Sequence, residues 1–291
     1  MRIAVIVHVF YPDLWRELAA CIRNIGEPKD VYVTFVDEAA VVCARADFPK
    51  AKFIRCENRG YDIWPFLQVL QCIDLSAYDI VVKLHTKRDI RYDLVMNHAW
   101  FSGSRWRKYL LGFVRTRRAW RRTLSALNRP DVGIAADRHV IFDGEIAGPE
   151  FRPTVERAMA EAEALAGMRP REDLFVAGTM FAARASALAP LLRRRHAADD
   201  FEPYGGHDRE THAHVMERVF GFCASAAGFR VVAFSGSADF WRWYYRQSPV
   251  AKMLRFFYQV RSRNWKYTIK VCGIPVYVRR LTKPDAGPAS P

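Results

Sequence analysis

The sequence predicts an α/β domain built on a mostly parallel sheet flanked by helices. Three observations lead there. Short, continuously apolar runs such as RIAVIVH (2–8) and DIVV (79–82) read as strands buried on both faces. Between such runs lie stretches whose apolar residues recur at helical spacing. The two kinds alternate along most of the chain, the pattern of strand–helix–strand units. With 291 residues, 51% of them hydrophobic, the chain is long enough for one large domain or two small ones.

Residues 2–8 form the first expected strand. Residues 11–25 follow as a helix, with Leu14, Leu18, Cys21, Ile22 and Ile25 on one stripe. Strands are expected at 31–36 (VYVTFV) and 52–56 (KFIRC). Residues 62–73 place Ile63, Phe66, Leu67, Leu70 and Ile73 on one helical face, with Asp62 suited to the N-cap and Pro65 in the first turn. A strand at 79–84 comes next, then a basic, aromatic helical region over 99–127. Later strands are expected at 131–136, 174–182 and 229–235, and helices at 153–166 and 208–222. No internal repeat is present.

The composition changes near residue 240. The chain therefore divides into a first domain, 1–240, and a basic aromatic extension, 241–291, for which membrane-surface binding is one reading. From Arg246 to Lys283 the extension carries lysines and arginines, interleaved aromatics and no acid. The formal net charge of +14 points to an anionic partner. Basic residues with interleaved aromatics, also seen over 105–122, suit stacking on nucleic-acid bases as well as a membrane interface. The anionic membrane surface is the favoured partner and nucleic acid is not, because no nucleic-acid motif occurs. Ordinary solvated charge is the plainer alternative. The six cysteines lack any C-x-x-C spacing and read as reduced thiols. The N-terminus has no signal-peptide pattern and reads as a strand, and no uncharged run approaches the ~20 residues of a membrane span. A cytoplasmic protein, peripheral to the inner face of a bacterial membrane, is expected.

Three segments carry polar groups that could do chemistry. ENRGYDIWPF (57–66) joins a strand to a helix. Asn58 and Gly60 permit a tight turn, Asp62 can cap the helix or bind a sugar hydroxyl, and the helix start offers free N–H groups to an anion. KLHTK (83–87) closes a strand, and the carboxyl ends of strands in open α/β sheets are where ligands bind. There Lys87 could neutralise phosphate, His85 donate a hydrogen bond and Thr86 bond a phosphate oxygen, while Lys83 and Leu84 point to opposite faces. HDRETHAHVMERVFG (207–221) puts Glu210, His214 and Glu217 on one helical face, whereas His212 and His214 diverge, which disfavours a histidine metal site. Each segment also has a plainer reading: a structural turn, a solvated loop and a solvated helix face.

Taken together, NRGYDIWPFL (58–67), YDIVVKLHTKR (78–88), FVAGTMFAARASAL (175–188) and HVMERVFG (214–221) resemble the rhamnan synthesis F family of bacterial glycosyltransferases over most of residues 1–235. IKVCGIPVYVRR (269–280) is similar to the endings of many cell-surface polysaccharide enzymes. The resemblance implies a GT-A-like fold and transfer of a sugar, with rhamnose expected, from a nucleotide sugar such as dTDP-rhamnose to a lipid-linked saccharide of O-antigen or capsule type. Asn58, Arg59, Gly60, Asp62, Lys83, His85, Thr86 and Lys87 would then bind the donor, and Gly178, Thr179 and Met180 the acceptor. GT-A enzymes usually end the strand equivalent to 79–84 in D-x-D, which holds a metal. This chain has a lysine there, so no cofactor is expected and a divalent metal is not favoured. An inverting transfer needs a carboxylate base. Glu217 precedes AGFRVV (227–232) as the base of related transferases precedes a similar segment, with Asp208 as second choice; His214, one turn before Glu217, could orient it or bind the acceptor. The family's D-G-T-like element is replaced here by HDRET. The competing functions are an inactive polysaccharide-assembly protein of the same fold and a basic nucleic-acid-binding protein.

Overall fold

Seven strands assemble into one central sheet, and their order explains where polar groups can meet. In the computed structural model the described residues are 1–89, 94–96, 99–101, 105–143, 151–203, 205, 211–235, 258–263, 266–272 and 274–280. The first compact unit comprises 1–88 and 107–236; the second comprises 89–106 and 237–291.

In the first unit, β1 (Ile3–Val9) leads into α1 (Trp15–Asn24), β2 (Lys29–Phe35), α2 (Val42–Asp47), β3 (Lys52–Arg55), α3 (Ile63–Cys72) and β4 (Ile80–His85). In the second, β5 (Leu94–Met96) and β6 (Ala99–Phe101) form an antiparallel hairpin. The first unit continues with α4 (Trp106–Leu110), α5 (Arg117–Leu127), β7 (Val132–Ala136), β8 (Ile141–Asp143) and α6 (Arg152–Ala166). It closes with β9 (Leu174–Val176), β10 (Phe181–Arg184), α7 (Ala185–Leu188), α8 (His212–Ala226) and β11 (Arg230–Ala233).

The sheet order is β3-β2-β1-β4-β10-β7-β11. Every pairing is parallel except those of β10, which runs antiparallel to both β4 and β7. This is the mostly parallel sheet flanked by helices that the sequence predicts. β1 and β4 are buried at every residue, which is why their sequences read as unbroken apolar runs. Because β10 is reversed, its start lies beside the end of β4, with Phe181 opposite Lys83. The segment entering β10 therefore arrives at the carboxyl edge of the parallel strands.

α3 and α8 bring Phe66 and Phe220 against Phe181 of β10, with ring centroids 5.5–6.2 Å apart in edge-on arrangements. Gly221 lets α8 approach β9, since an added Cβ would lie 2.1 Å from the Leu174 carbonyl oxygen.

Three expected elements differ. The single strand expected over 174–182 is two, β9 and β10. The break falls where Gly178 (φ +73°) and Thr179 (φ +52°) turn left-handed and the Thr179 N–H bonds the Val176 carbonyl. The helical region over 99–127 begins with the strand β6, whose three residues are too short to show a period of two. The helix expected at 208–222 is found at His212–Ala226, and 206–210 lie outside the described residues. In the second unit, β12 (Tyr258–Arg263), β13 (Lys266–Val271) and β14 (Ile274–Arg280) make an antiparallel sheet in that order, a feature the composition alone did not suggest.

Candidate active site

The loop between β3 and α3 is shaped to deliver Asp62. Gly60 sits at φ +60°, and a Cβ there would come within 2.7 Å of the Phe201 ring. Tyr61 follows at φ +54°, a conformation uncommon for any residue but glycine. The Arg59 guanidinium donates to the Phe201 carbonyl (2.9 Å) and lies 3.5 Å from both Glu57 and Asp199. Arg59 thus holds the loop in place, and Asn58 is exposed beside it. Asp62 does occupy the N-cap position of α3, yet its side chain caps nothing.

The carboxylate turns instead to Lys83 and Thr179. Both the Lys83 ammonium and the Thr179 hydroxyl donate to Asp62 Oδ2, and Lys83 also donates to Thr179 Oγ1 at 2.8 Å. Lys83 is 1% exposed and Asp62 14%. The Phe66 and Phe220 rings face the ammonium with centroids at 5.3 and 5.9 Å, a favourable cation–π environment. Thr179 is a β-branched residue at positive φ, a costly conformation held here by its two polar partners. Two strained non-glycine residues, Tyr61 and Thr179, therefore converge on one carboxylate.

His85 ends β4 with Nδ1 3.3 Å from Asp62 Oδ2, and neither ring nitrogen has a hydrogen-bond partner among the described residues. Burial drives its imidazole well below the ordinary value, so it is neutral at physiological pH. Burial would by itself push the Asp62 carboxyl up. Its neighbours His85, Lys83 and Lys87 and the Lys83 hydrogen bond outweigh burial and hold it well below the usual carboxylate range. With His85 neutral, the two lysines supply that charge. Lys87 is half-buried, and its charge also opposes protonation of His85 and His214. Thr86 is used differently from the expected phosphate contact. It is buried, and its Oγ1 accepts from the backbone N–H groups of Phe10 (2.8 Å) and Tyr11 (2.9 Å), tying the end of β1 to the end of β4.

Glu217 reaches the same turn from α8. Its Oε1 accepts from the Gly178 N–H at 2.6 Å, one residue before Thr179, and its charge acts on Lys83. His214, one turn earlier, has Nδ1 2.7 Å from Thr211 Oγ1 and lies edge-on to Tyr61 at 6.1 Å. Burial lowers its imidazole; Glu217 opposes that, and Arg218 and Lys87 reinforce it. Arg218 is buried against the Phe175 ring (4.6 Å), donates to the His214 carbonyl (2.7 Å) and lies 3.7 Å from Glu217.

The turn over 178–179 is thus the physical link between Asp62 and Glu217. Thr179 and Met180 are both buried, so their side chains face inward rather than forming an open acceptor wall. Asp208 and Glu210 lie outside the described residues. Among the described residues no three His, Cys, Asp or Glu side chains gather as metal ligands.

Two residues of the site carried little signal in the sequence. His8, next to last in β1, is in register with His85 and buried, with Nδ1 3.0 Å from Thr34 Oγ1. A lone histidine near the end of an apolar run was its sole clue. Arg218 is buried on α8, where every residue from Val215 to Ala226 except Glu217 is buried.

The family model described as rhamnan synthesis protein F matches residues 1–229. An uncharacterized protein, WxcX, of Xanthomonas campestris pv. campestris (strain B100) is 30% identical over 240 residues, which is 78% of this chain and 32% of that protein. The chain therefore spans about a third of the length of the curated relatives it matches. Among solved structures, a CMP:2-keto-3-deoxy-manno-octonic acid synthetase complexed with CTP is 10% identical with a TM-score of 0.37, covering 80% of this chain and 90% of that one. Glucosyl-3-phosphoglycerate synthase from Mycobacterium tuberculosis, in complex with Mn2+, UDP and glucosyl-3-phosphoglycerate, is 13% identical with a TM-score of 0.34, covering 96% and 89%.

Proposed function

The chain belongs to the rhamnan synthesis protein F family, and from that premise we propose that it is an inverting glycosyltransferase of cell-surface polysaccharide synthesis. The donor is a nucleoside-diphosphate sugar, with dTDP-rhamnose the first to test. The acceptor is a lipid-linked saccharide. One observation supports the assignment above others: Glu217, Asp62 and Lys83 meet through a single turn at the carboxyl edge of β4, with the charge of Lys87 acting on Asp62.

In the proposed step the acceptor hydroxyl oxygen attacks the anomeric carbon. The new C–O bond forms as the bond from that carbon to the diphosphate oxygen breaks, and the electron pair leaves with the nucleoside diphosphate. The hydroxyl proton passes to the Glu217 carboxylate, which the Gly178 N–H orients. Lys87 meets the charge that develops on the leaving diphosphate, a role that a fixed cation fills without a metal ion. Lys83 is too buried to reach the donor; it fixes Asp62, and Asp62 in turn takes a donor hydroxyl. Arg59 and Thr86 hold the frame, with Arg59 anchoring the Asp62 loop and Thr86 joining two strand ends.

The test is a donor screen with purified protein on a lipid-linked acceptor, with and without EDTA. Turnover of one nucleotide sugar that persists in EDTA is expected. Turnover abolished by EDTA and restored by Mn2+ overturns the metal-independent step. Absence of transfer and of donor hydrolysis, with saturable polysaccharide binding, replaces the enzyme with an assembly role.

A further inference from the structure

β14 is the edge of the three-stranded sheet in the second unit, paired with β13 on one side and with no further strand on the other among the described residues. Its side chains do not fit an idle edge. Ile274 is 66% exposed, Val276 59% and Val278 48%. The pairing with β13 shifts register at Val276, so strict alternation is broken there, and with Tyr277 (47% exposed) these side chains make a row of exposed apolar groups along the edge strand, presented on both of its faces. Soluble proteins normally shorten, charge or cover such an edge. Around it, from Asp239 to Asp285, the sequence carries eleven lysines and arginines and no intervening acid.

We propose that the exposed apolar edge Ile274–Val278 enters the headgroup layer of an anionic lipid bilayer, with lysines and arginines of the flanking sequence on lipid phosphates. The row and the charge have to be explained together. A second copy of the chain would match the row but bring two strongly cationic segments together. Pro275, inside the strand, has no N–H and weakens strand addition by a second copy. A soluble polyanion would match the charge and leave the row in water. An anionic bilayer satisfies both, since interfacial binding combines apolar insertion with attraction to charged headgroups. No helix among the described residues is long and apolar enough to cross a membrane, and an interfacial strand needs none. This inference stands independently of the transferase reading.

The experiment is flotation of the full chain with phosphatidylcholine vesicles, with and without phosphatidylglycerol, for wild type and an Ile274→Ser/Val276→Ser/Val278→Ser variant. Wild type is expected to float only with phosphatidylglycerol. The variant's partitioning should fall on the order of tenfold or more. Single Val276→Ser and Val278→Ser variants give the same readout in smaller steps if the triple variant loses its fold. Equal flotation of variant and wild type, flotation on phosphatidylcholine alone, or no flotation overturns the proposal. So does sedimentation that shows a dimer dissolved by the triple substitution.

Discussion

The Lys83 ammonium, almost wholly buried, is held by the Asp62 carboxylate across the junction of β4 and α3. A buried ion pair is no guarantee of stability, because desolvation opposes the mutual attraction. Its specificity is the point here. With Thr179 as third partner, the pair fixes where the Asp62 loop and the 178–179 turn stand relative to the end of β4.

Breaking the pair should therefore be costly, and removing both charges should not. Asp62→Ala leaves Lys83 buried without its counter-charge, and a loss of about 3–5 kcal/mol is expected in denaturant unfolding. Asp62→Ala combined with Lys83→Met should recover most of that loss while staying inactive. A single variant as stable as wild type would show that the ammonium finds water instead.

Thr179 is a positioning residue that acts through Asp62. Thr179→Val keeps the shape and the β-branch but removes the hydroxyl that accepts from Lys83 and donates to Asp62. A stability loss of about 1–3 kcal/mol is expected from the unpaired polar groups. In steady-state kinetics kcat should fall more than KM rises, and Thr179→Ser should restore both. Equal activity of the valine and serine variants would remove Thr179 from the site.

Glu217→Gln tests the base. A glutamine oxygen still accepts from the Gly178 N–H, so the melting temperature should hold while turnover falls roughly 10²–10⁴-fold. Near-normal turnover in this variant, with Asp208→Asn inactive, would move the base to Asp208.

Lys87→Ala should leave a folded protein, since the side chain is only half-buried and lies at a strand end. Turnover should drop on the order of 10²–10³-fold, the effect of losing one preorganised charge-stabilising group. Unchanged turnover in a donor assay would leave the diphosphate to another cation.

The sheet was legible because burial on both faces writes itself as continuous apolar runs, as in β1 and β4. The polar segments of the candidate site were legible because polar residues closed those runs, as His85, Thr86 and Lys87 do. Roles within the segments were not legible. Residue type and position suit Asp62 to an N-cap or to a sugar hydroxyl; its observed partners, Lys83 of β4 and Thr179 of the turn before β10, come from distant parts of the chain. Thr86 was read as a phosphate ligand, since nothing local shows that the end of β1 brings two N–H groups to it. The reversal of β10, from which the site follows, depends on a two-residue left-handed turn inside an apolar stretch.

His8 gives the fold an acid-sensitive group close to the site. Burial, the largest influence, lowers its imidazole from 6.5 to about 4, with Asp62 opposing and Lys83 reinforcing. The unfolded chain therefore takes up a proton near pH 6.5 that the folded protein refuses until about pH 4. The stabilising contribution is fully present above pH 6.5 and is lost progressively as pH falls to about 4. Across that window the loss amounts to roughly 3 kcal/mol for one proton. His85, also depressed by burial, adds to the same trend. His8→Asn cannot take up that proton in either state, so its stability should fall less steeply between pH 6.5 and 4 than that of wild type, the slopes differing by about one proton. Urea unfolding across that range measures both slopes, and parallel profiles would place the acid sensitivity elsewhere.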